Sequence, residues 1–259
     1  MIRMCNREGI KYTKPAKVKD PKNVTARFIQ LNKLLTELNC YAILIKHKPF
    51  IYPHADIDII VDLKCYSKIL DKLKTRISKL EKLKIHMFLG SAEIEIHNGV
   101  SWWDIPFVSS DWCFEQVVSP NGTPYKSFLS GCDRILILNP SADSFVLLLS
   151  RFFQDFEITK YDLAHIAIYG DLRGAMKMFI EFEFSHTFTR ILLSHILRCV
   201  KNQKNLCNIP LQLFVLTNME YTFKSRFLAS PLQRLILFAR NIIWYFVKAI
   251  RRINHIKLG

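Results

Sequence analysis

The segment HADIDIIVD, residues 54–62, sets two aspartates one residue apart within a run of isoleucine and valine. β-Branched residues at that density read as a strand. Successive side chains of a strand point to opposite faces, so Asp56, Asp58, Ile60 and Asp62 share one face and Ile57, Ile59 and Val61 the other. One reading is an edge strand whose aspartates simply meet water. The other is a pair of carboxylates that holds divalent cations; magnesium takes oxygen ligands and leaves room for substrate phosphates. Spacing alone leaves both open.

Around this strand the chain alternates between helical and extended patterns. Phe28, Ile29, Leu31, Leu34, Leu35 and Leu38 recur at helical spacing over 24–38, and YAILIK (41–46) reads as a buried strand. Residues Tyr66 to Leu83 are expected to form a lysine-rich amphipathic helix, with Ile69, Leu70, Leu73, Ile77, Leu80 and Leu83 on one stripe and its lysines as a solvated face. KIHMFL (84–89) and AEIEIH (92–97) read as a hairpin about Gly90 and Ser91, with Glu93, Glu95 and His97 on one face of the second strand. If that strand lies beside the aspartate strand, a third carboxylate joins the first two. Three carboxylates can carry two metals, the arrangement that in-line attack on phosphorus uses.

SPNGTP (119–124) is a cluster of turn formers, and RILIL (134–138) is a further short strand. Asn139-Pro140 suits a helix cap and first helical position, and nearly everything from Ser141 onward reads helical. The expected organisation is a basic arm (1–22), an α/β unit (23–139) and an α-helical unit (140–259), an α+β protein overall.

With half of its 259 residues apolar and 23% charged, the chain is globular rather than disordered. Its net charge of +15 favours anionic partners: nucleotides, nucleic acid or an acidic membrane surface. The seven cysteines lie far apart without a CxxC, which argues against a disulfide framework or a cysteine zinc site and suits a reducing cytosol. The first residues lack the apolar core of a signal peptide, and no uncharged apolar run is long enough to span a bilayer. A cytoplasmic protein is the expectation. No glycine-rich phosphate loop, HExxH or serine-nucleophile elbow is present.

From Pro231 to Ile250 the polar positions Gln233/Arg234, Arg240/Asn241 and Lys248 recur every seven residues on an otherwise apolar helix. Such a helix is buried, packs in an oligomer, or makes peripheral contact with a membrane, with Arg251, Arg252 and Lys257 facing lipid phosphates. Burial is the ordinary outcome. Structural roles are likewise the ordinary reading of His97 at a strand end, His54 beside the aspartates, the base-stacking candidates Trp102, Trp103 and Trp112, and Asp162 and His165 in YDLAHI (161–166).

The order helix, strand, loop, Asp-x-Asp strand, helix and acidic strand resembles the nucleotidyltransferase fold of the DNA polymerase beta superfamily. YAILIKHKPFIYPHADIDIIVD, the later IEIH and YDLAHI look like the motifs of its poorly characterised "nucleotidyltransferase family proteins". The resemblance covers roughly residues 24 to 170, through short motifs. It implies a mixed sheet with helices, Asp56 and Asp58 as ligands of two magnesium or manganese ions, and Glu95 as the third ligand and catalytic carboxylate. It further implies transfer of a nucleoside monophosphate from a nucleoside triphosphate to a hydroxyl acceptor, nucleic acid or protein among the candidates. Active members carry Gly-Gly or Gly-Ser after the first strand; here that turn is Lys46-His47-Lys48, so Lys46 and His47 are the candidate nucleotide-binding residues. The alternative is a catalytically inactive nucleotide- or nucleic-acid-binding module of the same fold.

Overall fold

The computed structural model describes residues 21–48, 56–81, 84–89, 92–102, 105–202, 206–211, 213–215 and 231–257. Helix α1 (Pro21–Glu37) leads to strands β1 (Ala42–Leu44) and β2 (Asp56–Val61). Helix α2 (Leu63–Lys72) follows at once, because Asp62 leaves the strand to cap it: its carboxylate accepts the Cys65 N–H at 2.6 Å. Strands β3 (Ile77–Glu81), β4 (Lys84–Leu89) and β5 (Ala92–His97) come next, then a separate hairpin of β6 (Val100–Trp102) and β7 (Ile105–Val108). Helix α3 (Ser110–Glu115), strand β8 (Val117–Val118), helix α4 (Lys126–Leu129) and strand β9 (Ile135–Leu138) complete this part. Helix α5 (Pro140–Ser150), strand β10 (Glu157–Thr159), helices α6 (Lys160–Ile168), α7 (Leu172–Glu181) and α8 (His186–Lys201), strand β11 (Leu206–Asn208) and helix α9 (Pro231–Lys257) follow.

Seven strands form one mixed sheet in the order β3-β4-β5-β2-β1-β9-β8. β2 is central, so the edge-strand reading of its aspartates does not hold. It runs antiparallel to β1 and parallel to β5. Parallel neighbours need a crossover, and α2 with the β3–β4 hairpin supplies it. Both faces of β2 are covered. Ile57, Ile59 and Val61 pack with α1 and α2 in one apolar cluster, and Ile60 joins α5 to α8 in the other. The helices after Asn139 therefore share a core with the sheet. Asn139 itself caps α5, accepting the N–H groups of Ser141 and Ala142.

Three expectations need correction. The helix expected over 66–83 stops at Lys72, and ISKLE becomes edge strand β3, paired antiparallel with β4. Leu80, expected on the buried stripe, is 59% exposed, whereas Ile69 and Leu73 are buried. Ladder bonds offered by β4 outweigh a helical pattern that lysine-rich sequence leaves weakly defined. The helical half also contains a two-stranded sheet, β10 with β11. Finally, Cys40 pairs with Cys65 and Cys199 with Cys207 as disulfides, their Cα atoms 5.7 and 6.1 Å apart. Sequence separations of 25 and 8 conceal that proximity, since the fold brings the start of α2 against the exit of α1 and joins α8 to β11. Wide spacing in the sequence therefore does not exclude disulfides here. Among the described residues, no helix is long and apolar enough to cross a membrane.

Candidate metal centre

The parallel register sets Asp56 opposite Glu93, Asp58 opposite Glu95 and Ile60 opposite His97. Period-two alternation in both strands then brings the carboxylates of Asp58 and Glu95 and the imidazole of His97 together, with one ligand atom of each within 4.8 Å of the others. Asp56 occupies the next same-face backbone position of β2, toward the strand's start. His97 Nε2 lies 2.8 Å from Asp58 Oδ1 and 3.8 Å from Glu95 Oε2. An ionised Asp58 can only accept, so His97 donates to it; the other tautomer would free Nε2 as a cation ligand.

Two lysines close the cluster. Lys46, just past β1, holds Nζ 3.6 Å from Asp58 Oδ1, and Lys84 of β4 pairs with Glu95. Lys46 has φ of +56°, in the left-handed region where glycine is the ordinary occupant. The backbone thus takes a glycine-like turn with a lysine, and the lysine's charge reaches the carboxylates. From β4, His86 Nδ1 also approaches Glu95 Oε1 at 3.4 Å and Glu93 Oε1 at 3.5 Å, forming a second group of potential cation ligands.

Burial and neighbouring charge set the protonation. Burial opposes charge on Asp58, but the Lys46 ammonium and the His97 hydrogen bond outweigh it and hold the carboxyl far below the usual range. Burial and the Asp58 charge push Glu95 up to about 7. Burial lowers His97 to about 4, so its imidazole is neutral near pH 7. A proton held on Glu95 is what a divalent cation would displace.

The other candidates fall elsewhere. His47 is buried against the rings of Phe28 and Phe128, with centroids 5.4 and 5.1 Å away. That aromatic packing places its ring in the core. Lys48 is buried too, its Nζ 2.5 Å from Asp162 Oδ1 in the first turn of α6. Arg151 Nε reaches the same oxygen at 3.0 Å, and Thr159 forms a capping box with Asp162. His165 Nε2 contacts Asp143 Oδ2 at 2.5 Å, so both polar residues of YDLAHI are structural. The Trp112 ring packs edge-on against Phe145 and Phe182 in the core. His54 and Trp103 lie outside the described residues.

Sequence reasoning missed Lys84 and His86, although the signal was present. Once KIHMFL and AEIEIH form a two-residue hairpin, Lys84 must face His97, and His86 must face Glu95. Compared with known proteins, the chain matches no family model, no curated protein and no solved structure.

Proposed function

We propose that the protein is a metal-dependent nucleotidyltransferase. It moves a nucleoside monophosphate from a nucleoside triphosphate to a hydroxyl acceptor and releases pyrophosphate. The supporting observation is the pairing of Asp58 with Glu95 across parallel strands, with lysines on both carboxylates. Two acids and two ammonium groups can separate when a magnesium–triphosphate enters: the cation goes to the carboxylates and the phosphates to the lysines. In this reading Asp56, Asp58 and Glu95 hold magnesium or manganese. Bound there, such metals would polarise the α-phosphate and steady the leaving oxygen. Glu95 would also accept the proton of the attacking hydroxyl. Lys46 steadies the triphosphate, and its left-handed backbone offers a tight turn without glycine.

A second reading is a non-catalytic nucleotide- or nucleic-acid-binding module of the same fold. It is favoured by the Lys46–Asp58 pair, which already neutralises one carboxylate, and by the lysine that stands where a glycine turn would be expected.

Calorimetry with nucleoside triphosphates, alongside an assay for pyrophosphate release, separates the two. The enzyme reading expects binding only with magnesium or manganese, its loss in Asp56→Asn with Asp58→Asn, and metal-dependent release of pyrophosphate. Equal affinity with and without chelator, and no release with any acceptor class, leaves the binding module. No nucleotide binding under any condition removes both nucleotide readings.

A further inference from the structure

Helix α9 turns its more apolar side away from the protein. Leu232, Leu235, Ile236, Ile243, Phe246 and Ile250 are between 48% and 66% exposed. Leu232, Ile236, Ala239, Ile243, Phe246 and Ile250 succeed one another at spacings of four and three, which keeps them on one line of a helix. From first to last the line is about 27 Å long at the helical rise. On the opposite side, Asn241 is buried, and Ile242, Trp244 and Tyr245 pack on the core, with the Tyr245 hydroxyl donating to the Ile209 carbonyl at 3.1 Å. The helix is thus fastened to the body by a mixed polar and aromatic side and presents a continuous apolar stripe outward. Burial, the ordinary fate of such a helix, is not what this one shows. An apolar stripe of this length on a soluble surface marks a contact.

Charge identifies the partner. The 27 residues of α9 contain Arg234, Arg240, Lys248, Arg251, Arg252 and Lys257 and no aspartate or glutamate. Positions 240, 251 and 257 lie on or beside the stripe, whereas 234, 248 and 252 fall on the side that Asn241 and Tyr245 occupy. A second copy of this helix would bring like charges together. An anionic bilayer surface would receive both features at once: the apolar side chains enter the acyl boundary, and the basic positions beside them meet lipid phosphates. A chain of net charge +15 adds a field of the same sign. We propose that α9 is an interfacial anchor that docks the protein on acidic phospholipid membranes, lying in the plane of the surface without crossing it.

Sedimentation of the full chain with vesicles tests this. The protein should pellet with phosphatidylcholine containing about a third phosphatidylserine, stay in solution with phosphatidylcholine alone, and be released as salt rises. Ile243→Glu should lower the bound fraction by roughly tenfold or more, because it puts a charge where the stripe enters the lipid. Arg251→Gln with Lys257→Gln leaves the apolar side chains of the stripe intact and should also weaken binding by roughly tenfold. An unchanged melting temperature in both variants shows that the fold is kept; if Ile243→Glu fails to fold, the Arg251/Lys257 double variant carries the test. Failure to pellet with anionic vesicles, equal pelleting with neutral ones, or insensitivity to these changes would overturn the proposal. So would a stable dimer that Ile243→Glu dissolves while vesicles remain unbound.

Discussion

Asp58 and Glu95 sit directly opposite each other on parallel strands, yet their protons behave oppositely: Asp58 is held ionised by Lys46 and His97, while Glu95 is pushed up to about 7. Two carboxylates within ligand reach cannot both carry full charge cheaply in a part-buried site. The lysines relieve this in the absence of a cation, and a cation would relieve it better.

The two glutamates of β5 should therefore separate in mutagenesis. The Glu95 side chain is 15% exposed and faces Asp58, whereas that of Glu93 is 42% exposed and one repeat away. Glu95→Gln should weaken manganese binding by about tenfold or more, a loss of roughly 1.4 kcal/mol or above, with Glu93→Gln clearly milder. Titration followed by manganese electron paramagnetic resonance reads both. The reverse order would mean that the cation sits nearer His86 and Glu93.

Lys46 carries both a charge and a strained backbone. Lys46→Ala removes the counter-ion that a bare cation must displace, so manganese alone should bind somewhat tighter. Triphosphate with metal should bind about ten- to a hundredfold more weakly, the size of a charge-assisted contact. Lys46→Gly removes the same charge and also relieves the positive φ. It should be more stable to urea than Lys46→Ala by about 1 kcal/mol. Equal stabilities would show that the turn carries no strain.

Two opposed pH dependences meet in this cluster. Between 4.5 and about 7 the folded Glu95 keeps a proton that the unfolded chain has released, so its contribution to stability falls as pH rises. Between about 4 and 6.5 the unfolded chain holds a proton on His97 that the folded state lacks, so that contribution rises with pH. In chelator the two nearly offset from 4.5 to 6.5. Glu95→Gln should expose the rise and His97→Gln the fall, each on the order of 2 kcal/mol across the window. Melting temperatures of the three proteins against pH measure it; parallel profiles would refute the assignment.

The ion pair of Lys48 with Asp162 ties the turn after β1 to α6. Burial lowers the Lys48 pKa, and Lys48 and Arg151 hold Asp162 low against its own burial. Asp162→Asn leaves a buried ammonium short of its partner and should cost about 3 to 5 kcal/mol in chemical denaturation. Adding Lys48→Met should recover part of that loss, because the uncompensated charge is gone. Additive losses would show that the two residues are independent.

Much of the site could be read from the chain. DIDIIV and AEIEIH each declare a strand by β-branching and a carboxylate face by alternation, and Asn139-Pro140 declares a helix start. These are local properties, carried by neighbouring residues and by the period of the backbone. That the two strands are adjacent, parallel and in the register Asp58 to Glu95 is not local; it depends on the crossover through α2 and the β3–β4 hairpin. Tertiary contacts also turned 77–81 into an edge strand, drew His47 into an aromatic cluster, joined Cys40 to Cys65, and left the apolar stripe of α9 outside. The amino-acid sequence by itself determined which residues could bear the chemistry and on which face each would stand. Only the tertiary structure decided which faces meet, because partner choice is set by long-range packing and ladder bonding, whose energies no short window of sequence contains.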